Sequence, residues 1–212
     1  METFQTEEQQ VEAIKSFWDK HGNSIIAGLV LGFSGFIGLN YYQDNKLASQ
    51  NSTSDSYIAL STQATENPKA YVAQAESFIN DNANSSYASL TALALAKNAV
   101  NKENWANAEK HLSTAIEKAA DDGTKAIASL RLARIQIQTE QLDNALVTLN
   151  GSFPQSFLAN VEVIKGDVYA LQGKSSLARA SYQTAIDNRG IETHPNLQMK
   201  FDDLAEVTTL VE

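Results

Sequence analysis

Ser24-Ile-Ile-Ala-Gly-Leu-Val-Leu-Gly-Phe-Ser-Gly-Phe-Ile-Gly-Leu-Asn-Tyr-Tyr42 carries no charge. At a rise of about 1.5 Å per residue, a helix of this length matches a bilayer core about 30 Å thick. The stretch predicts a transmembrane helix over residues 24–42, and that helix sets the plan of the chain. Residues 1–23 lie on one side of the membrane, and the domain that follows lies on the other.

The flanks fit a span. Trp18 precedes it and Tyr41 and Tyr42 close it, where amphipathic aromatics settle at the membrane interface. A secretory signal has a short basic lead, a shorter apolar run and a small-x-small cleavage site. Here the lead carries Glu2, Glu7, Glu8, Glu12 and Asp19 against Lys15 and Lys20. The nearest cleavage candidate, Leu47-Ala48-Ser49, puts a large residue where a small one belongs. The expectation is a retained anchor. Lys15 and Lys20 before the span outnumber Lys46 just after it, which predicts a cytoplasmic N-terminus. Gly28, Gly32 and Gly35, extended by Gly38, form a small-residue face that lets another membrane helix come close. The plainer reading is that glycine is simply frequent in membrane helices.

Composition narrows the function. The chain has 25 acids against 16 bases; its net charge is −9, of which −6 falls after residue 42. An acidic domain lacks the basic face that nucleic acid requires, and anionic membrane surfaces are poor targets for the same reason. There is no cysteine, hence no disulfide framework and no thiol chemistry. His21, His111 and His194 lack metal-ligand spacing. No G-x-S-x-G or P-loop occurs. Asp121-Asp122 and Asp202-Asp203 are neighbours, and neighbours on a helix point in different directions. They read as solvated or helix-capping acids. No catalytic residue, metal or cofactor is expected, and the chain reads as no enzyme.

After the span the chain is rich in alanine, poor in proline and glycine, and spaced in threes and fours, which predicts helices throughout. It also repeats. Gly166, Tyr169, Ala178, Tyr182 and Ala185 have the same spacing as Ala133, Gln136, Ala145, Leu149 and Ser152, and as Ala96, Ala99, Ala108, Leu112 and Ala115. The frame resembles the tetratricopeptide repeat, a helix-turn-helix of about 34 residues. Small residues on both helices let the backbones approach, and the larger residue fills the gap to the next pair. One pair cannot bury its own apolar face, so pairs must stack. The expected fold is all-α: a single N-terminal transmembrane helix followed by a tetratricopeptide-like, right-handed helical-repeat solenoid over 57–212. Its parts are a degenerate pair at 57–80, repeats near 89–118, 126–155 and 159–188, and a C-terminal helix at 195–211. Residues 43–56 read as a short linker or as the polar start of the first domain helix.

Thr6 to His21, Tyr87 to Val100, Val163 to Tyr169, Ala178 to Tyr182 and Leu197 to Leu204 together resemble the YfgM family of ancillary SecYEG translocon subunits. The resemblance covers essentially the whole chain. Tyr41-Tyr42 departs from it, standing where the family pattern is richer in tryptophan. The resemblance implies a bacterial inner-membrane protein with a cytoplasmic N-terminus and a periplasmic repeat domain. It implies the SecYEG channel and the membrane-anchored periplasmic chaperone PpiD as partners, with nascent secreted proteins as further clients.

In stacked pairs the first helices line a concave face. Repeat position places Leu93, Lys97 and Val100 there, then Leu130, Arg134 and Ile137, then Val163, Asp167 and Ala170. Lys97, Arg134 and Asp167 form a row. One reading is an apolar groove with a charged stripe, suited to a peptide or a partner helix, with cations able to hold a carboxylate. The plainer reading pairs Arg134 with Asp167 across adjacent repeats and assigns the apolar residues to the core. The expected function is a membrane-tethered scaffold that helps secreted proteins pass from the translocon to periplasmic chaperones. Its rivals are an adaptor of another envelope complex, such as division or outer-membrane assembly, and a signal-cleaved soluble carrier.

Overall fold

Asn67 and Pro68 show how local chemistry sets the helix boundaries. The proline ring fixes φ for a first helical turn and needs no amide partner there. Asn67 Oδ1 accepts the Ala70 N–H at 3.3 Å and caps the new helix. Ser85, Asn104 and Asp121 open later helices in the same way, accepting from Tyr87, Asn107 and Thr124.

The computed structural model describes residues 7–204. The helices are α1 (Glu7–Glu66), α2 (Pro68–Asp81), α3 (Ser86–Asn101), α4 (Trp105–Glu117) and α5 (Asp122–Gln138). They continue with α6 (Leu142–Leu149), α7 (Leu158–Leu171), α8 (Ser175–Asp187), α9 (Gly190–Thr193) and α10 (Leu197–Asp202). The part of the expected C-terminal helix from 205 to 211 lies outside the described residues, as do residues 1–6 of the expected cytoplasmic segment. Residues 43–56 are helical and belong to α1.

By packing, the chain divides into two units, residues 1–52 and 53–212. In the first, α1 holds the one helix among the described residues that is long and apolar enough to cross a membrane. Ile26, Leu29, Val30, Leu31, Phe33, Phe36, Ile37 and Leu39 are all exposed and point to every side. A helix that is apolar all round and unburied by protein has the surface that lipid covers.

The second unit is a stack of antiparallel helix pairs. α3 packs on α4, α5 on α6 and α7 on α8, and each pair packs on the next. The repeat frame is what each pair buries. Ala96, Ala99, Ala108, Leu112 and Ala115 are at most 7% exposed. Ala133, Gln136, Ala145 and Leu149 are buried likewise, as are Gly166, Ala178, Tyr182 and Ala185. Tyr169 is partly buried, and Ser152 is exposed. α6 is only eight residues long and ends at Leu149, so the last frame position of that pair falls in an exposed loop.

Gly166 is the tightest crossing. A Cβ built there would overlap the Tyr182 ring, so glycine is required by the close approach of α8. The ring in turn is 3% exposed and packs with Val163, Ala178, Ala185 and Leu197. Burying one such side chain contributes about 1.5–3 kcal/mol, well above an exposed ion pair.

The three turns within pairs share one geometry. The third residue of each, Glu103, Glu140 and Gly173, has φ of 55°, 60° and 71°. The N–H of the following residue reaches back into the first helix: Asn104 to Ala99 O, Gln141 to Gln136 O and Lys174 to Tyr169 O, each at 2.7–2.9 Å. This is the Schellman closure, which prefers glycine at the left-handed position. Two of the three turns hold a glutamate there instead.

At the start of the unit, α1 from Thr53 onward joins α2 and α3. Tyr57, Leu60 and Ala64 pack with Tyr71, Phe78 and Ile79. The Tyr87 hydroxyl and the Ser54 hydroxyl lie 3.0 Å apart. At the far end Leu197, Phe201 and Leu204 cover Tyr182 and Ala185.

Two substitutions test this packing with opposite signs. Gly166→Ala is expected to lower unfolding free energy by about 1–3 kcal/mol, because the added methyl displaces a buried ring. Glu140→Gly is expected to raise it by about 0.5–1 kcal/mol by relieving a left-handed residue. Chemical denaturation followed by circular dichroism checks both.

Candidate functional site

The exposed edge of the stack follows from what the frame consumes. α5 packs against α4 on one side and against α6 and α7 on the other, so only one strip of it stays open. Ile127, Arg131, Arg134 and Gln138 occupy that strip at helical spacing. On α3 the corresponding open residues are Leu90, Lys97 and Asn101.

Between α3 and α5 lies a pocket of about 400 Å³. Leu93, Val100, Leu112 and Ile135 give it apolar walls; Lys97, Arg131 and Arg134 stand around it. Four of the nine residues that repeat position assigned to the concave face, Leu93, Lys97, Val100 and Arg134, thus meet in one place. Leu130 and Val163 are each 5% exposed and belong to the core. Residue 130 is one step of about 100° around the helix from Arg131, toward α6 and α7. Ile137 is half-buried against the core between the second and third pairs. Ala170 is exposed near the end of α7. Arg131 escaped the repeat-position reading, although its spacing of three from Arg134 put it on the same face.

Lys97, Arg131 and Arg134 form no ion pair or hydrogen bond with any described residue. Arg134 does not pair with Asp167. Asp167 is taken by two other groups: the Lys200 ammonium donates to its Oδ1 at 2.6 Å, and the Tyr182 hydroxyl donates to the same oxygen at 2.7 Å. Burial, then the Asp167 hydrogen bond and charge, push the Tyr182 phenol above its usual range. Arg179 helps to fix the same corner. It donates to Phe201 O at 2.8 Å, and its guanidinium carbon sits 3.7 Å from the centre of the Phe201 ring.

His194 stands between these groups, its Nε2 2.7 Å from Asn160 Oδ1. Burial is the main force that pushes its pKa down; Arg134 and Lys200 add to it, and Asp167 opposes them. Burial lowers His111 too, against the pull of Glu76 and with a push from Lys110. Asp121 caps α5; the Thr124 N–H at 2.8 Å and the Thr124 hydroxyl hold its carboxyl below the usual range.

In the first unit, a Cβ added at Gly28, Gly32 or Gly35 would meet nothing within 4 Å. That side of the helix is open to whatever lies beside it.

Comparison with known proteins places this geometry. The family described as a tetratricopeptide repeat-like domain matches residues 15–206. A protein named ancillary SecYEG translocon subunit from Aggregatibacter actinomycetemcomitans is 33% identical over 93% of this chain and 97% of its own length. Proteins of the same name from Haemophilus influenzae and Escherichia coli are each 31% identical. The former covers 93% of this chain and 97% of itself, the latter 97% and 100%. No solved structure matches.

The two depressed histidines give a pH dependence with a definite sign. Below about pH 6.5 the unfolded chain takes up protons that folded His111 and His194 resist. The unfolded state then binds more protons, so stability falls as pH drops from about 7 toward 5. The denaturation midpoint is expected to fall over that range and to fall less in a His111→Gln, His194→Gln double variant.

Proposed function

We propose a function from one premise: this chain belongs to the tetratricopeptide repeat-like family of ancillary SecYEG translocon subunits. It acts at the translocon as a membrane-anchored scaffold. α1 fixes it in the bacterial inner membrane through residues 24–42, with the N-terminus in the cytoplasm and the repeat domain in the periplasm. The domain offers its first-helix face to a membrane-anchored periplasmic chaperone of the PpiD type, and so assists the handover of secreted proteins as they leave the channel. It does this by binding alone, without catalysis or a cofactor.

The observation that carries this reading is the pairing of one exposed, all-round apolar helix with a stack of helix pairs that keeps an open, lined face. The first supports a site at a membrane; the second suits the docking of protein segments. The glycine side at Gly28, Gly32 and Gly35 is the contact to a channel helix, since small residues allow close approach there. The positive-inside rule supports the orientation, with Lys15 and Lys20 before the span and Lys46 after it.

A photoreactive residue at Gly32 of the full chain in native membranes tests the reading. Crosslinks to a SecYEG subunit, together with co-isolation of a periplasmic chaperone, are the expected result. Crosslinks only to components of division or outer-membrane assembly would overturn the pathway. Recovery of the chain without residues 1–42 would overturn the anchor.

A further inference from the structure

The pocket between α3 and α5 has an electrostatic character that repeat architecture does not require. Acids outnumber bases by 25 to 16 in this chain, yet Lys97, Arg131 and Arg134 surround one pocket and none of them forms an ion pair with a carboxylate among the described residues. Elsewhere the chain does pair its charges on facing elements: Lys110 lies 3.6 Å from Glu76, and Lys200 lies 2.6 Å from Asp167. Asp167 occupies the same repeat position as Lys97 and Arg134, and Lys200 neutralises it. Among the described residues, the unpaired charge at this repeat position therefore belongs to the first two complete pairs, and it is positive. Like charges gathered without a counter-ion repel one another, and an anion placed among them relieves that repulsion.

The walls are apolar. Leu93, Val100, Leu112 and Ile135 line the pocket, whose volume falls within the range of about 300–1,000 Å³ typical of ligand clefts. Leu90 and Ile127 extend the apolar surface. Each is 39% exposed, and each lies seven residues before a cation, Lys97 or Arg134, on the same helix face. An occupant must therefore carry aliphatic side chains and carboxylates close together.

We propose that this groove recognises internal protein segments in which aliphatic residues alternate with aspartate or glutamate. The inference rests on the reading of the repeat domain as a docking scaffold and adds the chemistry of what docks. Aliphatic side chains enter between α3 and α5, while carboxylates meet the three cations; the guanidinium forks of Arg131 and Arg134 suit a planar carboxylate. A basic segment is rejected by the same charges, and a neutral apolar one leaves them unpaired.

The test uses the full chain in nanodiscs of zwitterionic lipid. The probes are fluorescent, acetylated and amidated peptides of about ten residues that alternate leucine with glutamate, glutamine or lysine. Fluorescence anisotropy is expected to show the glutamate peptide binding at least about tenfold tighter than the glutamine one, with the advantage shrinking as salt rises. A Lys97→Gln, Arg131→Gln, Arg134→Gln variant should lose that advantage at unchanged helicity. If the triple variant loses helicity, Arg134→Gln alone, an exposed change, carries the comparison. Equal binding of the three peptides, or a preference that survives in the variant, overturns the proposal. So does loss of the preference when phosphatidylglycerol is added to the nanodisc, which would make the cations a lipid site. None of these outcomes alters the crosslink expected from Gly32, so the scaffold reading stands or falls separately.

Discussion

The closeness of the two helices in each pair is the constraint on which the rest of the domain depends. Where Ala96 faces the second helix of its pair, where Ala133 does, and where Gly166 meets Tyr182, the side chains are as small as the backbone allows. Small residues at these crossings bring the backbones near, and nearness lets Leu112, Leu149 and Tyr182 fill the space toward the next pair. The core is thus built from many small contacts, with few large side chains. Leu95, Leu112, Leu149 and Leu197 are among the largest that are fully buried. Such packing tolerates little added volume, because interiors are already dense.

The functional surface is what this packing leaves over. Each first helix spends most of its circumference on neighbours, so the remaining strip is narrow and its residues cannot retreat. Long cationic side chains on such a strip stand out into the groove. At the third pair the strip is closed by the chain itself, since Lys200 and Tyr182 occupy Asp167 and His194 reaches Asn160. Groove and closure are two outcomes of one repeat position, decided by whether the residue there finds a partner on a later element.

Much of this was legible in the sequence. The uncharged stretch at 24–42 and the small-large frame at three places fix the helical class and the pairing, because both are periodic signals of burial. Less legible was what depends on neighbours. Leu130 and Val163 share a repeat position with Leu93, yet they are buried while Leu93 keeps an opening to the pocket. Only the packing of α5 and α7 against further helices decides that. The truncation of α6 at Leu149 is likewise not written in the frame, which continues formally to Ser152. The turns at Glu103 and Glu140 carry no glycine to betray their left-handed residue.

The last consequence concerns growth. A stack of like units is a polymer whose ends are as adhesive as its middle, and a second molecule fits such an end as well as the next repeat does. Here neither end is left bare. Tyr57, Leu60 and Ala64 of α1 lie over the first, and Leu197, Phe201 and Leu204 lie over the last. The terminal helices therefore act as chain terminators in the polymer sense. They cover the faces on which a further unit would stack, as capping units do in a repeat array.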